Sequence, residues 1–245
     1  MGYYAFHQGR YMPNILITGS NRGIGLEWTH QYAEENWKVF ATCRYPPEAE
    51  ALRSLAQKYS NIRIHRLDIT KPDEINALAV EMLNIPIDIL VNNAGVYLEK
   101  YWDVNLMKRS INYEDWEYTF RVNTLGPVRI TGALIDNIAL SEKRLVVITS
   151  THMASISDIA EPGAYYYRST KAALNAAMEG IAAELKRRDI GLLILHPGHV
   201  KTRMGGPGTD LLPNGSVRGM RKLIERFEME YTGCFYKYDG TRMPW

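Results

Sequence analysis

Short apolar runs alternate along the chain with longer stretches in which apolar residues recur at helical spacing. The runs fall at 14–18 (NILIT), 38–42 (KVFAT), 62–67 (IRIHRL), 87–92 (IDILVN), 145–150 (LVVITS) and 192–196 (LLILH), with a seventh at 234–238 (CFYKY). The fourth and fifth are almost continuously apolar, as strands covered on both faces require; a half-exposed antiparallel strand would alternate polar and apolar residues. The segments 23–35, 47–58, 72–83 and 113–139 are long enough to be the crossover helices of right-handed βαβ units. The pattern predicts an α/β fold, a doubly wound parallel sheet of about seven strands with helices on both faces. No repeat, low-complexity tract or Pro/Gly-rich linker separates two cores, so 13–245 reads as a single domain and 1–12 as a disordered or upstream extension. Two irregular stretches, 96–112 and 202–216, follow strand ends, at the edge of an open parallel sheet where ligands sit.

Composition narrows the function classes. The 29 basic and 27 acidic residues of this 245-residue chain leave a formal charge of +2, which supplies no field for nucleic acid or an anionic membrane. Cys43 and Cys234 have no second Cys or His at metal-ligand spacing, so neither a disulfide framework nor a metal site is indicated, and a reducing cytoplasm is the default. No apolar run approaches the roughly 20 residues that span a bilayer, and the opening MGYYAFHQGRYM lacks the apolar core of a signal peptide.

Chemistry enters at the first strand–helix junction, ILITGSNRGIGLEW. Gly19, Gly23 and Gly25 allow a tight turn and close backbone approach, and free N–H groups at a helix start favour a phosphate. A plain turn would also need such glycines; their place on the first βα junction favours a nucleotide. The second strand runs into Arg44, where an acid would select NAD(H), and Arg22 lies inside the glycine turn. Two arginines at the places a 2′-phosphate would occupy favour NADP(H) over NAD(H). Asp68 ends the third strand: it could cap the following helix or accept from an adenine amino group. NNAG (92–95) ends the fourth and could be a turn or, through Ala94 and Gly95, a seat for a flat cofactor.

A run of three tyrosines, AYYYRSTKAAL (164–174), raises the question of which is reactive. Only Tyr167 has a lysine, Lys171, four residues ahead and so on the same helix face. A phenol of ordinary pKa ~10 is a poor acid–base group at neutral pH, and lowering it by about three units needs roughly 4 kcal/mol. An ammonium about 4 Å away supplies about that much at an effective dielectric near 20. Ser150, at the end of the fifth strand, adds a hydroxyl that could hold a carbonyl oxygen.

TGSNRGIG (18–25), NNAG (92–95), Asn123 in RVNTLGP, Ser150 in VVITS, YRSTK (167–171) and HPGHVKT (196–202) occur in the order found in the short-chain dehydrogenase/reductase family, which the chain resembles from Asn14 to Trp245. Within it, TCR, YYYRSTKAALN, LHPGHVKTRMGG and YDGTRMPW look most like the Sniffer and C-factor group of NADPH-dependent carbonyl reductases. The resemblance implies a Rossmann-like fold and a catalytic tetrad of Asn123, Ser150, Tyr167 and Lys171, with Asn123 positioning a water of a proton relay. It also implies cofactor contacts at Gly19, Asn21, Arg22, Gly23, Ile24, Gly25, Arg44, Asp68, Ile69, Asn92, Ala94, Gly95, Pro197, Gly198, Val200 and Thr202, as well as at Tyr167 and Lys171. The implied activity is hydride transfer between NADP(H) and a small carbonyl or alcohol substrate. The alternatives are a nucleotide-binding signalling protein of C-factor type and, further off, a sugar-nucleotide epimerase.

The chain departs from the family's common SSxxG after the fifth strand, having TSTHMAS, so Ser155 is a rival for the catalytic serine; His152 could face substrate or be surface. Tyr165 is expected as a substrate contact and Tyr166 as packing. Tyr97, Trp102, Met204, Leu211 and Leu212 are candidate pocket walls. Ala172, Ala173, Ala176, Ala177 and Ala183 suit close helix packing, within the domain or in a homodimer.

Overall fold

The computed structural model describes residues 12–101 and 104–245; the amino-terminal extension through residue 11 and Trp102 lie outside the described residues. Seven parallel strands, β1 (Asn14–Thr18), β2 (Lys38–Cys43), β3 (Ile62–Arg66), β4 (Ile89–Asn92), β5 (Leu145–Thr149), β6 (Gly191–His196) and β7 (Phe235–Lys237), form one sheet in the order β3-β2-β1-β4-β5-β6-β7. The expected α/β architecture is therefore present, with strand bounds shifted by one or two residues.

The helices are α1 (Gly23–Glu34), α2 (Glu50–Lys58), α3 (Pro72–Glu81), α4 (Tyr113–Phe120), α5 (Gly126–Ala133), α6 (Ile135–Ala139), α7 (Tyr165–Lys186) and α8 (Pro213–Glu225). The single helix expected over 113–139 is instead three. A π-helical turn over Arg121–Leu125, carrying Asn123, joins α4 to α5, and α6 follows Leu134 with its own start. A π turn inserts one residue into the ladder and re-aims the side chains on it, a feature common at functional sites.

The two-sided core explains the continuous apolarity of the central strands. Leu16, Leu90, Val146, Ile148, Leu192 and Ile194 pack on one face against residues of α3, α5, α6 and α7. Ile15, Ile17, Ile89, Val91, Leu145, Val147, Leu193 and Leu195 pack on the other against residues of α1, α2 and α8. Successive residues of one strand thus serve opposite layers. Helix α7 turns Leu174, Met178, Ala182 and Leu185 into the core, while Ala176 and Ala183, two of the small residues singled out in the sequence, are exposed. Among the described residues no helix is long and apolar enough to cross a membrane.

Burial sets a stability test. Leu90, on β4, is 0% exposed, whereas Val80, on α3, is 74% exposed. Leu90→Ala is expected to destabilise the fold by about 2–5 kcal/mol in urea unfolding, and Val80→Ala to stay within about 0.5 kcal/mol of the parent.

Candidate active site

Strands β1 and β4 are neighbours, and the chain leaves them toward opposite sides of the sheet, which opens a crevice at their carboxyl ends. The ends are spliced together. Thr18 Oγ1 accepts from the backbone N–H groups of Asn93 and Ala94, both at 3.0 Å, and Asn93 Nδ2 donates to Thr18 O at 3.0 Å. Gly19 adopts φ 70° with its Cα against Ala94, where a Cβ would come within 2.9 Å of Ala94 Cα. A Cβ on Gly25 would lie 2.1 Å from Gly19 O, so no side chain fits there. α1 begins at Gly23 with no side-chain cap, so the N–H groups of its first turn have no side chain answering them.

A cleft of about 630 Å³ runs along this edge. At one end lie Gly19, Asn21, Arg22, Gly23, Ile24 and Gly25 with Arg44, Asp68 and Ile69; Ala94 and Gly95 form the middle; Ser150, Tyr167, Lys171, Pro197 and Thr202 close the other end. Sixteen of the twenty sequence-predicted site residues are therefore brought together, counted as these six, three, two and five cleft residues.

Four are not among the residues lining the cleft. Asn92 is the last residue of β4 and turns its amide to Thr131 Oγ1 of α5 (3.0 Å), while its neighbour Asn93 lines the cleft. Gly198 and Val200 lie behind the wall. Gly198, with φ 84°, would place a Cβ 2.6 Å from Leu211 Cδ2, and Val200 is buried. Asn123 is also buried, and its amide is committed. Oδ1 accepts from Val96 N (2.9 Å), while Nδ2 donates to Val96 O (2.9 Å) and Thr170 Oγ1 (3.2 Å). Both amide protons are used, so this side chain clamps the loop after β4.

Of the tyrosines, Tyr166 is buried, stacks on Trp116 and accepts from Asn112 N (2.6 Å), which is the packing role expected of it. Tyr165, the first residue of α7, does not line the cleft; two residues before Tyr167, it stands about 200° around the helix from it. Tyr167 does, with its ring stacked on Tyr97 at 4.5 Å. Ser155 is bound to Trp245 O (3.0 Å) and Ser157, away from the cleft. His152 packs against the His196 ring at 5.1 Å and does not line the cleft either. Among the expected walls Tyr97 and Met204 contribute, while Leu211 and Leu212 do not.

Electrostatics divide the two titrating groups, half-buried Tyr167 and buried Lys171. Burial pushes the Tyr167 phenol up to about 12, with Tyr97 and Glu99 adding to it and a hydrogen bond with Thr151 opposing. Burial brings the Lys171 ammonium down to about 8, and Lys171 Nζ donates to Thr149 O at 2.8 Å. Desolvation, and not the charge of Lys171 expected from their spacing, sets the direction of the phenol's shift. At the other end, burial lowers Arg22, and the charges of Arg203 and Arg44 lower it further.

Three contributors were missed in the sequence. Arg203, next to Thr202, brings a third guanidinium into the cleft. Glu99, 4% exposed, comes 68 positions along the chain to accept from Tyr167 N at 2.8 Å, a carboxylate cap on α7. Nothing local announces it. Asn175 holds Ser150 Oγ at 2.6 Å, and its place four residues past Lys171, the same step as Tyr167 to Lys171, was a legible signal.

Known proteins share this fold. The carbonyl reductase Sniffer of D. melanogaster superposes with a TM-score of 0.88 at 29% identity, covering 96% of this chain and 100% of that one. The NADPH-bound carbonyl reductase from chicken fatty liver superposes with a TM-score of 0.87 at 29% identity, covering 96% and 99%. The C-signal protein of Myxococcus xanthus is 37% identical over 171 residues, 70% of this chain and 100% of that protein. The profile of the short chain dehydrogenase family matches residues 13–210. The chain belongs to the short-chain dehydrogenase family and is an oxidoreductase of that type.

Proposed function

We propose that the protein is an NADP(H)-dependent carbonyl reductase acting on an aldehyde or ketone, with Tyr167 as proton donor. The observation that carries this reading is one cleft with Ser150, Tyr167 and Lys171 at one end and Arg22, Arg44 and Arg203 at the other. The residues suit the cofactor. Arg22, whose proton affinity is lowered by burial and by the charges of Arg203 and Arg44, gains from a shared phosphate, and the open α1 start with its glycines admits a diphosphate backbone-to-oxygen. Asp68 Oδ1 is taken by Thr70 N (2.9 Å) and Thr70 Oγ1 (2.7 Å), an Asx turn that shapes the cleft edge as well as lining it.

Bound NADP(H) supplies or takes the hydride. Ser150 holds the carbonyl oxygen, and Tyr167 gives that oxygen its proton as the carbon is reduced. A phenol near 12 keeps its proton at every working pH and is still more acidic than the alcohol formed, so transfer runs to the substrate oxygen. Lys171, near 8, is cationic at neutral pH and close enough to neutrality to pass a proton on. Tyr97 and Met204 supply apolar walls, which suit an apolar or aromatic carbonyl compound.

The similarity to C-signal supports a second reading, a nucleotide-binding signalling protein. Tight NADPH binding without reduction of any compound in a broad carbonyl panel would favour it.

Tyr167→Phe should bind NADPH with unchanged affinity in a fluorescence titration yet lose about 100-fold or more of turnover; near-parental turnover would sink the assignment. Arg44, whose Nη1 is held by Tyr118 Oη at 3.0 Å, is the coenzyme test. In Arg44→Asp the ratio of kcat/KM for NADPH over NADH should fall by about 10-fold or more, since one of the 2′-phosphate cations becomes an anion.

The pH dependence follows from Lys171. Its charged form predominates below about 8, and kcat/KM reports ionisations of the free protein. The kcat/KM for NADPH in the reductive direction should be flat below that value and decline above it. Lys171→Arg, which stays charged, should remove that break if it binds NADPH at all.

A further inference from the structure

Ser150 and Asn175 are each 2% exposed, and Ser150 Oγ lies 2.6 Å from Asn175 Oδ1. In that orientation the only hydroxyl proton of Ser150 is spent on Asn175, and Asn175 Nδ2 is left buried with no hydrogen-bond partner. Both facts are costly together. A serine that must hold a carbonyl oxygen needs its proton for the substrate, and an unpaired buried amide N–H is disfavoured by about 1–3 kcal/mol.

Turning the carboxamide by half a turn resolves both, because its oxygen and nitrogen are isosteric. Nδ2 then donates to Ser150 Oγ, whose proton is released toward the cleft; the carbonyl left in the former Nδ2 position is the more tolerable orphan. The helix supports this. Tyr167, Lys171 and Asn175 stand at i, i+4 and i+8 of α7 and meet consecutive residues at the end of β5. Tyr167 is near enough to Thr151 for that hydroxyl to oppose its shift, Lys171 donates to Thr149 O, and Asn175 meets Ser150.

We propose that Asn175 is a positioning residue for the reaction: its carboxamide donates to Ser150 Oγ and thereby aims the Ser150 proton at the substrate carbonyl oxygen. Asn175 does not touch the substrate and acts only through Ser150. The inference rests on the reading of Ser150 as the group that holds that oxygen.

The test is a double-mutant cycle in the full-length protein with Asn175→Ala, Ser150→Ala and the pair, measuring kcat and KM for a reducible carbonyl compound and NADPH affinity by fluorescence titration. Asn175→Ala should lower kcat by about 10-fold or more with NADPH affinity within about twofold, and should cost nothing further on top of Ser150→Ala. Asn175→Thr, which restores a hydroxyl donor, should recover part of kcat. Equal losses from Asn175→Ala in the parent protein and in the Ser150→Ala variant, or no loss from Asn175→Ala, overturn the proposal. Should Asn175→Ala fail to fold, the side-chain amide proton resonances of Asn175 decide it: they should move upfield in Ser150→Ala if Nδ2 donates to Ser150, and an unmoved pair overturns the proposal. Were Ser150→Ala itself to leave kcat intact, the role of Ser150 would fail and the proposal with it. Loss in Ser150→Ala without loss in Asn175→Ala removes only the role of Asn175.

Discussion

The splice between the ends of β1 and β4 is the contact on which the site depends. A parallel sheet whose chain turns to opposite faces on adjacent strands must part at that point, and here Thr18 accepts two N–H groups from the β4 exit while Gly19 lies against Ala94. The hydrogen bonds fix how wide the crevice opens. The missing Cβ atoms of Gly19 and Gly25 fix how closely a ligand can approach the start of α1. Every cleft residue from β1, β2 and β4 is referred to this junction, so its geometry is set by backbone sterics more than by any charged pair.

Helix α7 supplies the second fixed reference. Its core face is held by Leu174, Met178, Ala182 and Leu185, and its first turn is tied down by Glu99 from the loop after β4. That same loop is clamped at Val96 by Asn123 on the π turn and lays Tyr97 on Tyr167. The π turn therefore matters to chemistry indirectly. It faces Asn123 to the loop, the loop positions Tyr97 and Glu99, and these bound the space around the Tyr167 phenol.

Much of this was legible in the chain. Seven apolar runs at crossover spacing require a parallel sheet, and TGxxxGxG on the first junction with Tyr167 four residues before Lys171 locates both ends of the cleft. What escaped depended on distance or direction. Glu99 caps a helix 68 positions away, and no local pattern encodes such a cap. Asn92 and Asn93 are adjacent and identical in type, so only the pleat decides that Asn92 turns to Thr131 while Asn93 lines the cleft. Asn123 was placed correctly on the chain, but its direction follows from a π turn that helical periodicity cannot foretell. The sign of the Tyr167 shift was misjudged for a related reason: spacing reports a neighbouring charge, whereas the extent of burial is a property of the finished fold.

That shift also clarifies how the same surroundings act in opposite directions on two groups of one helix face. Desolvation disfavours whichever form is charged, so it raises the phenol to about 12 and lowers the ammonium to about 8. Near neutrality both therefore carry a proton, the state that the proposed reduction would draw on. Environments that push two pKa values in opposite directions are what an acid and its supplier would need in the proposed reaction.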